Sequence, residues 1–268
     1  MDTEITKSEP VTEVFGRKEY RCTTTPSKDC PYGICDGLGH LNWVCTKGYP
    51  YDLISYCDCW YKARIEERWT KTVGSHDQWV RLHMLVPSEK SALPPKAQQQ
   101  CIDVMRADPD GNYCMFGPSG ASKTTFTLAL YRKCLLSHPG NYQNIIRIKT
   151  KTLLETIQAY RFDDNFRPEK HPPFTHAKKI RSLAANGTKT HLFLEELEKV
   201  KYTEHRANEI FDIVDAIYEE GGQLIITGNL TYEDLNDTNK FVEGFPRRID
   251  AICGKHKWDF WQHAKEEK

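Results

Sequence analysis

The chain has 268 residues, enough for one large domain or for a medium domain beside a small one, each with a buried core. Its 37 Lys and Arg residues offset its 37 Asp and Glu residues, so no global field draws nucleic acid or an anionic surface, and any such contact must come from a local patch. No apolar run reaches the roughly 18 residues of a membrane span, and the acidic, polar start "MDTEITKSEP" lacks the basic-then-apolar order of a signal peptide; a cytoplasmic location without membrane contact is expected.

Cysteine usage divides the chain. Six of the ten cysteines (Cys22, Cys30, Cys35, Cys45, Cys57, Cys59) fall early, whereas Cys101, Cys114, Cys134 and Cys253 are scattered singly and read as buried thiols. Without an export signal the early group is expected to bind metal instead of forming disulfides. "CPYGICDGLGHL" pairs Cys30 with Cys35 across a turn containing Gly33, and "CDC" supplies Cys57 and Cys59. Four thiolates from two short loops can close a tetrahedral zinc site and stabilise a segment too small for its own core. Cys22, His40 and Cys45 are reserve ligands, and an iron–sulfur cluster would use the same four sulfurs. The remaining histidines show no paired metal spacing and read as surface or hydrogen-bonded residues.

Next comes "WYKARIEERWTK", a charged helical stretch, and then "VPSEKSALPPKAQQQ", whose Pro-Pro pair suits a linker. The boundary is expected near residues 87–96, with a cysteine-rich, zinc-binding module over 1–90 and a second domain over 91–268. Beyond it apolar runs alternate with amphipathic ones. "NYCMFG" predicts a strand, "KTTFTLALYRKCLL" a helix, "NIIRIK" a strand and "TKTLLETIQAY" a helix. "HAKKIRSLAANG" predicts a helix, "THLFLEE" a strand, "EHRANEIFDIVDAIYEE" a helix ended by Gly221-Gly222, and "QLIITGN" a strand. Such alternation implies an α/β fold, a mostly parallel sheet with helices on both faces and ligands at the carboxyl ends of the strands.

The chemistry-bearing residues fall at those ends. "FGPSGASKTT" follows a strand and opens a helix, matching G-x-x-x-x-G-K-[ST] except that Ser122 takes the second glycine position. Backbone N–H groups from Gly117 through Pro118, Ser119, Gly120, Ala121 and Ser122 to Thr125 would cradle phosphate oxygens, Pro118 excepted for want of an N–H. Lys123 would reach the β and γ phosphates and the Thr124 hydroxyl would ligate magnesium. Ser122 keeps its N–H but adds a side chain that crowds the loop or restricts its backbone. "HLFLEEL" runs into Glu195, placed to orient magnesium, and Glu196, placed to polarise water; the alternative is a pair of surface acids at a helix start. "LIITGNL" ends on Asn229, which could orient the water or serve merely as a turn residue. The tail "KHKWDFWQHAK" offers either base stacking or tryptophans packed on the domain, and Lys149, Lys151 and Arg161 are further candidates for single-stranded DNA contact.

This ordered set, closing on "FPRRID", resembles the AAA+ ATPases, and within them the DnaC/DnaI-type helicase loaders and their IstB-type relatives, over roughly residues 110–255. The resemblance implies that Lys123 and Thr124 are the Walker A pair, Glu195 and Glu196 Walker B, and Asn229 sensor 1. Arg248, with Arg247 as fallback, would be an arginine finger for a neighbouring subunit, so that self-association completes the site. It also implies ATP or ADP as ligand, Mg2+ and Zn2+ as metals, ATP hydrolysis as activity, and a replicative DNA helicase and single-stranded DNA as partners. Ser122 and Glu195 depart from the pattern, so slow hydrolysis is expected. Alternatives are an IstB/TnsC-type transposition ATPase, a guanylate-kinase-like small-molecule kinase and a non-hydrolysing scaffold.

Overall fold

A computed structural model of the chain describes residues 12–15, 18–31, 34–38, 40–47, 53–162 and 190–265; the helix expected over "HAKKIRSLAANG" lies outside them. The chain divides into two compact units, Met1–Val73 and Gly74–Lys268, so the segment 87–96 lies within the second.

In the first unit, strands β1 (Thr12–Phe15), β2 (Lys18–Cys22), β3 (His40–Lys47) and β4 (Leu53–Tyr56) pair antiparallel in that order. Neighbours on β3 point to opposite faces: Trp43 is buried with its Nε1 donating to Ser55 Oγ at 2.7 Å, while Val44 is exposed. Helix α1 (Asp58–Thr72) is the charged stretch expected there. Ile65 and Trp69, four residues apart, form its buried stripe, and Glu67 pairs with Arg64 at 2.9 Å and Lys71 at 2.7 Å on the wet side.

The second unit is built on a five-stranded sheet in the order β6-β7-β8-β5-β9, in which every described pairing is parallel. Its strands are β5 (Tyr113–Phe116), β6 (Ile145–Lys149), β7 (His191–Glu195), β8 (Gln223–Gly228) and β9 (Lys257–Asp259). Burial on both faces explains the continuous apolar runs. One face carries Phe116, Ile148, Leu194 and Ile226 and packs on α4 (Thr150–Phe162), α5 (Glu204–Glu219) and α6 (Phe245–Cys253) through residues such as Leu154, Ile213 and Ile249. Residues of the other phase meet α3 (Lys123–Ser137), where Tyr131 stands edge-on to Phe193 at 5.2 Å. The expected fold class is the observed one: an α/β core with a mostly parallel sheet and flanking helices.

One stretch differs from expectation, and the tail takes the second of its two readings. The last six of the fifteen residues read as a linker belong to helix α2 (Pro95–Ala107). Pro95 fits the first turn, where no intrahelical N–H is needed, and Ala97, Cys101, Ile102 and Met105 are buried at helical spacing. The polar run "QQQ" hides this, because Gln98 is itself buried, donating from Nε2 to Ser88 O at 2.9 Å and Leu93 O at 2.7 Å. The tail forms β9 and a short helix, α7 (Phe260–Lys265), and packs on the domain: the Trp258 ring lies 5.1 Å from that of Tyr113, and Trp261 Nε1 donates to Leu230 O at 3.1 Å.

Helix α5 ends as its glycines require. Gly221 has φ 63°, and the N–H groups of Gly221 and Gly222 return to Tyr218 O and Ile217 O at 3.1 and 2.9 Å. A Cβ on Gly222 would stand 2.0 Å from Thr190 O, a backbone atom beside β7, whereas one on Gly221 meets nothing within 4 Å. Gly221→Ala is expected to cost about 1 kcal/mol through its φ alone. Gly222→Ala should cost about 2 kcal/mol or more, and urea unfolding followed by circular dichroism should rank them in that order.

Candidate functional site

The carboxyl ends of β5, β6, β7 and β8 surround a cleft of about 580 Å³, a size suited to a small organic ligand. One wall is the loop from β5 into α3. Gly117 opens it: its N–H bonds Gly228 O at 3.2 Å, and a Cβ there would stand 2.4 Å from Phe260 Cβ. Gly120 has φ 81° and Ser122 φ 60°, both left-handed. Glycine is the usual occupant of that conformation, and a serine in it costs about 1–2 kcal/mol. The Ser122 hydroxyl does not crowd the loop, because it turns outward and donates to Ser91 Oγ at 2.8 Å. Ser91 Oγ also reaches Gly120 O at 3.2 Å, and Ala92 N–H reaches the same oxygen at 3.0 Å. The segment before α2 thus straps the loop.

Lys123, buried at the first turn of α3, donates to Gly117 O and Pro118 O at 2.7 Å each and to Asn229 Oδ1 at 2.8 Å. Burial pulls its pKa down to about 8, opposed by the charge of Glu198. Asn229, one residue past β8, therefore faces the loop lysine. Ser119 through Thr125, Glu195, Glu196 and Asn229 all line the cleft, whereas Gly117 and Pro118 do not and instead accept from Lys123 through their carbonyls.

The acids are placed less simply. Glu195, buried at the end of β7, gives both carboxylate oxygens to Arg147 of β6, at 3.0 Å to Nε and 2.8 Å to Nη2. Burial pushes its pKa up, and the guanidinium pulls against that shift. Glu196 has φ 58°, so the chain turns sharply there and its side chain meets Lys149 at 2.9 Å and Lys199 at 3.2 Å. Burial works against its ionisation, but those two ammonium groups outweigh it and hold its pKa below the usual carboxylate value. The same turn buries Leu197 and returns Glu198 to the cleft, where its Oε2 is buried without a hydrogen-bond partner among the described residues. Glu198 was absent from the sequence reading, as was Arg147. The available signals were a third acid three residues after Glu195 and a charged residue inside an apolar strand. Lys90, Lys123, Arg147, Lys149 and Lys199 bring five cationic groups to the cleft against three carboxylates, a surplus that favours an anion. Trp79, Leu85 and Val86 add an apolar wall.

Arg248 is not among the lining residues. On α6 it pairs with Asp215 of α5 and lies 4.5 Å over the Tyr218 ring, partly exposed, beside the exposed Arg247.

The first unit holds a separate site. The sulfurs of Cys30, Cys35, Cys57 and Cys59 lie within 4.8 Å of one another. Cys30 and Cys57 are 3.8 Å apart and Cys35 and Cys59 3.4 Å, far beyond a disulfide bond. Tetrahedral zinc with Zn–S of about 2.3 Å needs sulfurs about 3.8 Å apart, so the donor set fits. Cys22 and His40 do not join it; His40 Nδ1 lies 3.4 Å from Asp36 Oδ2. The side chain of Cys45 lies outside the described residues.

No family model matches the sequence, and no curated protein matches it. Among solved structures, a DnaC helicase loader is similar over 67% of this chain and 96% of its own, with TM-score 0.47 and 15% identity. AMPPCP-bound DnaA from Aquifex aeolicus is similar over 64% of this chain and 48% of its own, with TM-score 0.45 and 12% identity. DnaA bound to AMPPCP and single-stranded DNA is similar over 65% and 48%, with TM-score 0.42 and 12% identity. The matched region thus spans about half the length of these DnaA chains.

Removing Arg147 would strand a buried carboxylate. Arg147→Ala is expected to destabilise the second unit by about 3–5 kcal/mol, and adding Glu195→Gln should restore a large part of that loss in denaturant titrations.

Proposed function

We propose that this chain is an ATP-binding switch of the helicase-loader type. Its second unit binds ATP, its cysteine module holds zinc and grips a replicative DNA helicase, and nucleotide state governs self-association and hold on single-stranded DNA. The carrying observation is the loop from β5 into α3 that presents Lys123 and Asn229 to one another across a cationic cleft. The resemblance of its ordered motifs to helicase loaders supports the choice of partner.

In this reading the N–H groups of Ser119 to Thr124 and the amino end of α3 hold phosphate oxygens, and Lys123 exchanges its carbonyl partners for the β and γ phosphates. The apolar wall around Trp79 suits a base. Magnesium, when bound at Thr124, would neutralise charge between the phosphates. Asn229 orients the attacking water and Glu196 takes its proton, with Glu198 as a second acid aimed at the same cleft. The Arg147 pair leaves Glu195 little capacity to attract metal, and this favours slow turnover and a switch over a motor. Arg248 would have to leave Asp215 to reach a neighbouring subunit's site.

The decisive measurement is binding of ATP to the full chain, followed by Trp79 fluorescence or a labelled nucleotide. Lys123→Ala should weaken affinity about 10- to 100-fold. Glu196→Gln should retain binding while lowering turnover by about 100-fold or more, and Glu198→Gln reports whether the second acid shares that role. Absence of ATP binding by the unaltered chain sinks the proposal. Capture of partners from the native host with and without ATP separates the roles: a replicative helicase supports loading, whereas a transposase supports the transposition alternative. Metal analysis should find zinc, one equivalent of which is lost on Cys30→Ser or Cys57→Ser.

A further inference from the structure

A second group of metal-ligating side chains lies at the opposite end of the sheet from the phosphate loop. Cys134 is in the last turn of α3, His138 is the residue just past that helix's end, and His191 is the first residue of β7. One ligand atom from each lies within 4.8 Å of the other two. Cys134 is fully buried and His191 nearly so, and the two imidazole rings stand 4.8 Å apart at 35°.

We propose that Cys134, His138 and His191 form a second zinc site, with one sulfur and two nitrogen ligands and a fourth position for water. The donor chemistry selects the metal: a thiolate with two imidazoles suits zinc and excludes magnesium or calcium, which take oxygen. The separations suit it too. Zinc at about 2.3 Å from sulfur and about 2.1 Å from nitrogen places neighbouring ligand atoms roughly 3.4–3.6 Å apart. Cys134 Sγ already lies 3.9 Å from His138 Nδ1, and small side-chain rotations close the rest. The 3.2 Å hydrogen bond between His138 and Cys134 O uses that same Nδ1, so an ion bound there would replace it.

Such an ion would act as a brace. Helix α3 starts at Lys123 and β7 ends at Glu195, so the site fastens the far ends of the two elements whose near ends carry the loop lysine and the first acid. Its existence does not depend on which ligand the cleft takes.

The test is a cobalt(II) titration of the metal-stripped full chain, read by absorption. A site with one sulfur and two nitrogens gives a weaker sulfur-to-cobalt band than a four-thiolate site, so the unaltered chain should show one equivalent with the weaker signature whether or not the cysteine module fills. Cys134→Ser and His191→Asn should each lose about one equivalent, and the thermal midpoint of the unaltered chain should rise with added metal while that of the variants rises less. His191→Cys, which keeps a ligand, should retain the metal and strengthen the sulfur band. A titration of the unaltered chain that shows only a four-thiolate spectrum, or Cys134→Ser protein with metal content equal to the parent, overturns the proposal. Should a variant fail to fold, the spectrum of the unaltered chain decides alone.

Discussion

One buried ammonium organises the second unit. The three oxygens around Lys123 come from two places far apart in sequence, the loop after β5 and the residue after β8, so a single side chain fixes their spacing. That bond set is charge-assisted and shielded from water, where each contact is worth more than at a surface. It also explains how a loop with one unfavourable backbone angle stays in place. The left-handed turn at Ser122 is offset on one side by Lys123 and on the other by Ser91, and the contact of Gly117 with Phe260 closes the third side.

The three glutamates show how one backbone angle distributes chemistry. Had the chain continued as a strand past Glu195, alternate residues would have faced opposite sides of the sheet. The positive φ at Glu196 instead sends that carboxylate to two lysines, buries Leu197 and turns Glu198 back toward the cleft. Glu195 meanwhile meets Arg147 because both lie on the α3 side of neighbouring parallel strands, two residues offset in register. Charge in the cleft is thus largely prepaired, and an anionic ligand would meet the surplus of cations.

Much of this was legible in the sequence, for physical reasons. Strands β5 to β8 are largely buried on both faces, so each appears as a mostly apolar run, and the phosphate loop, Glu195, Glu196 and Asn229 close or directly follow such runs. The four clustered cysteines were legible from spacing alone. What escaped depended on tertiary partners. Helix α2 hides behind a proline pair and a buried glutamine whose amide bonds to the segment just before the helix. Strand β9 is three residues long and exists because Cys114, Met115 and Phe116 pair with it, not because "KWD" favours a strand. The Arg147 and Glu195 pair joins residues on separate strands, and no local pattern announces it. The third acid was visible as a letter, but its direction is set by the turn before it.

The pairing of β5 carries a consequence for how the chain acquires its shape. Among the described residues this strand, the earliest of its sheet, finds its neighbours only in β8 and β9, with Tyr113 opposite Ile225 and Cys114 opposite Lys257. During synthesis from the amino end, its two edges therefore stay unsatisfied until residues 228 and 259, more than a hundred positions later, have emerged. Long-range pairing of this kind is slow and leaves apolar strand edges open to other chains. Removal of Lys257, Trp258 and Asp259 would therefore reopen an edge beside the phosphate loop.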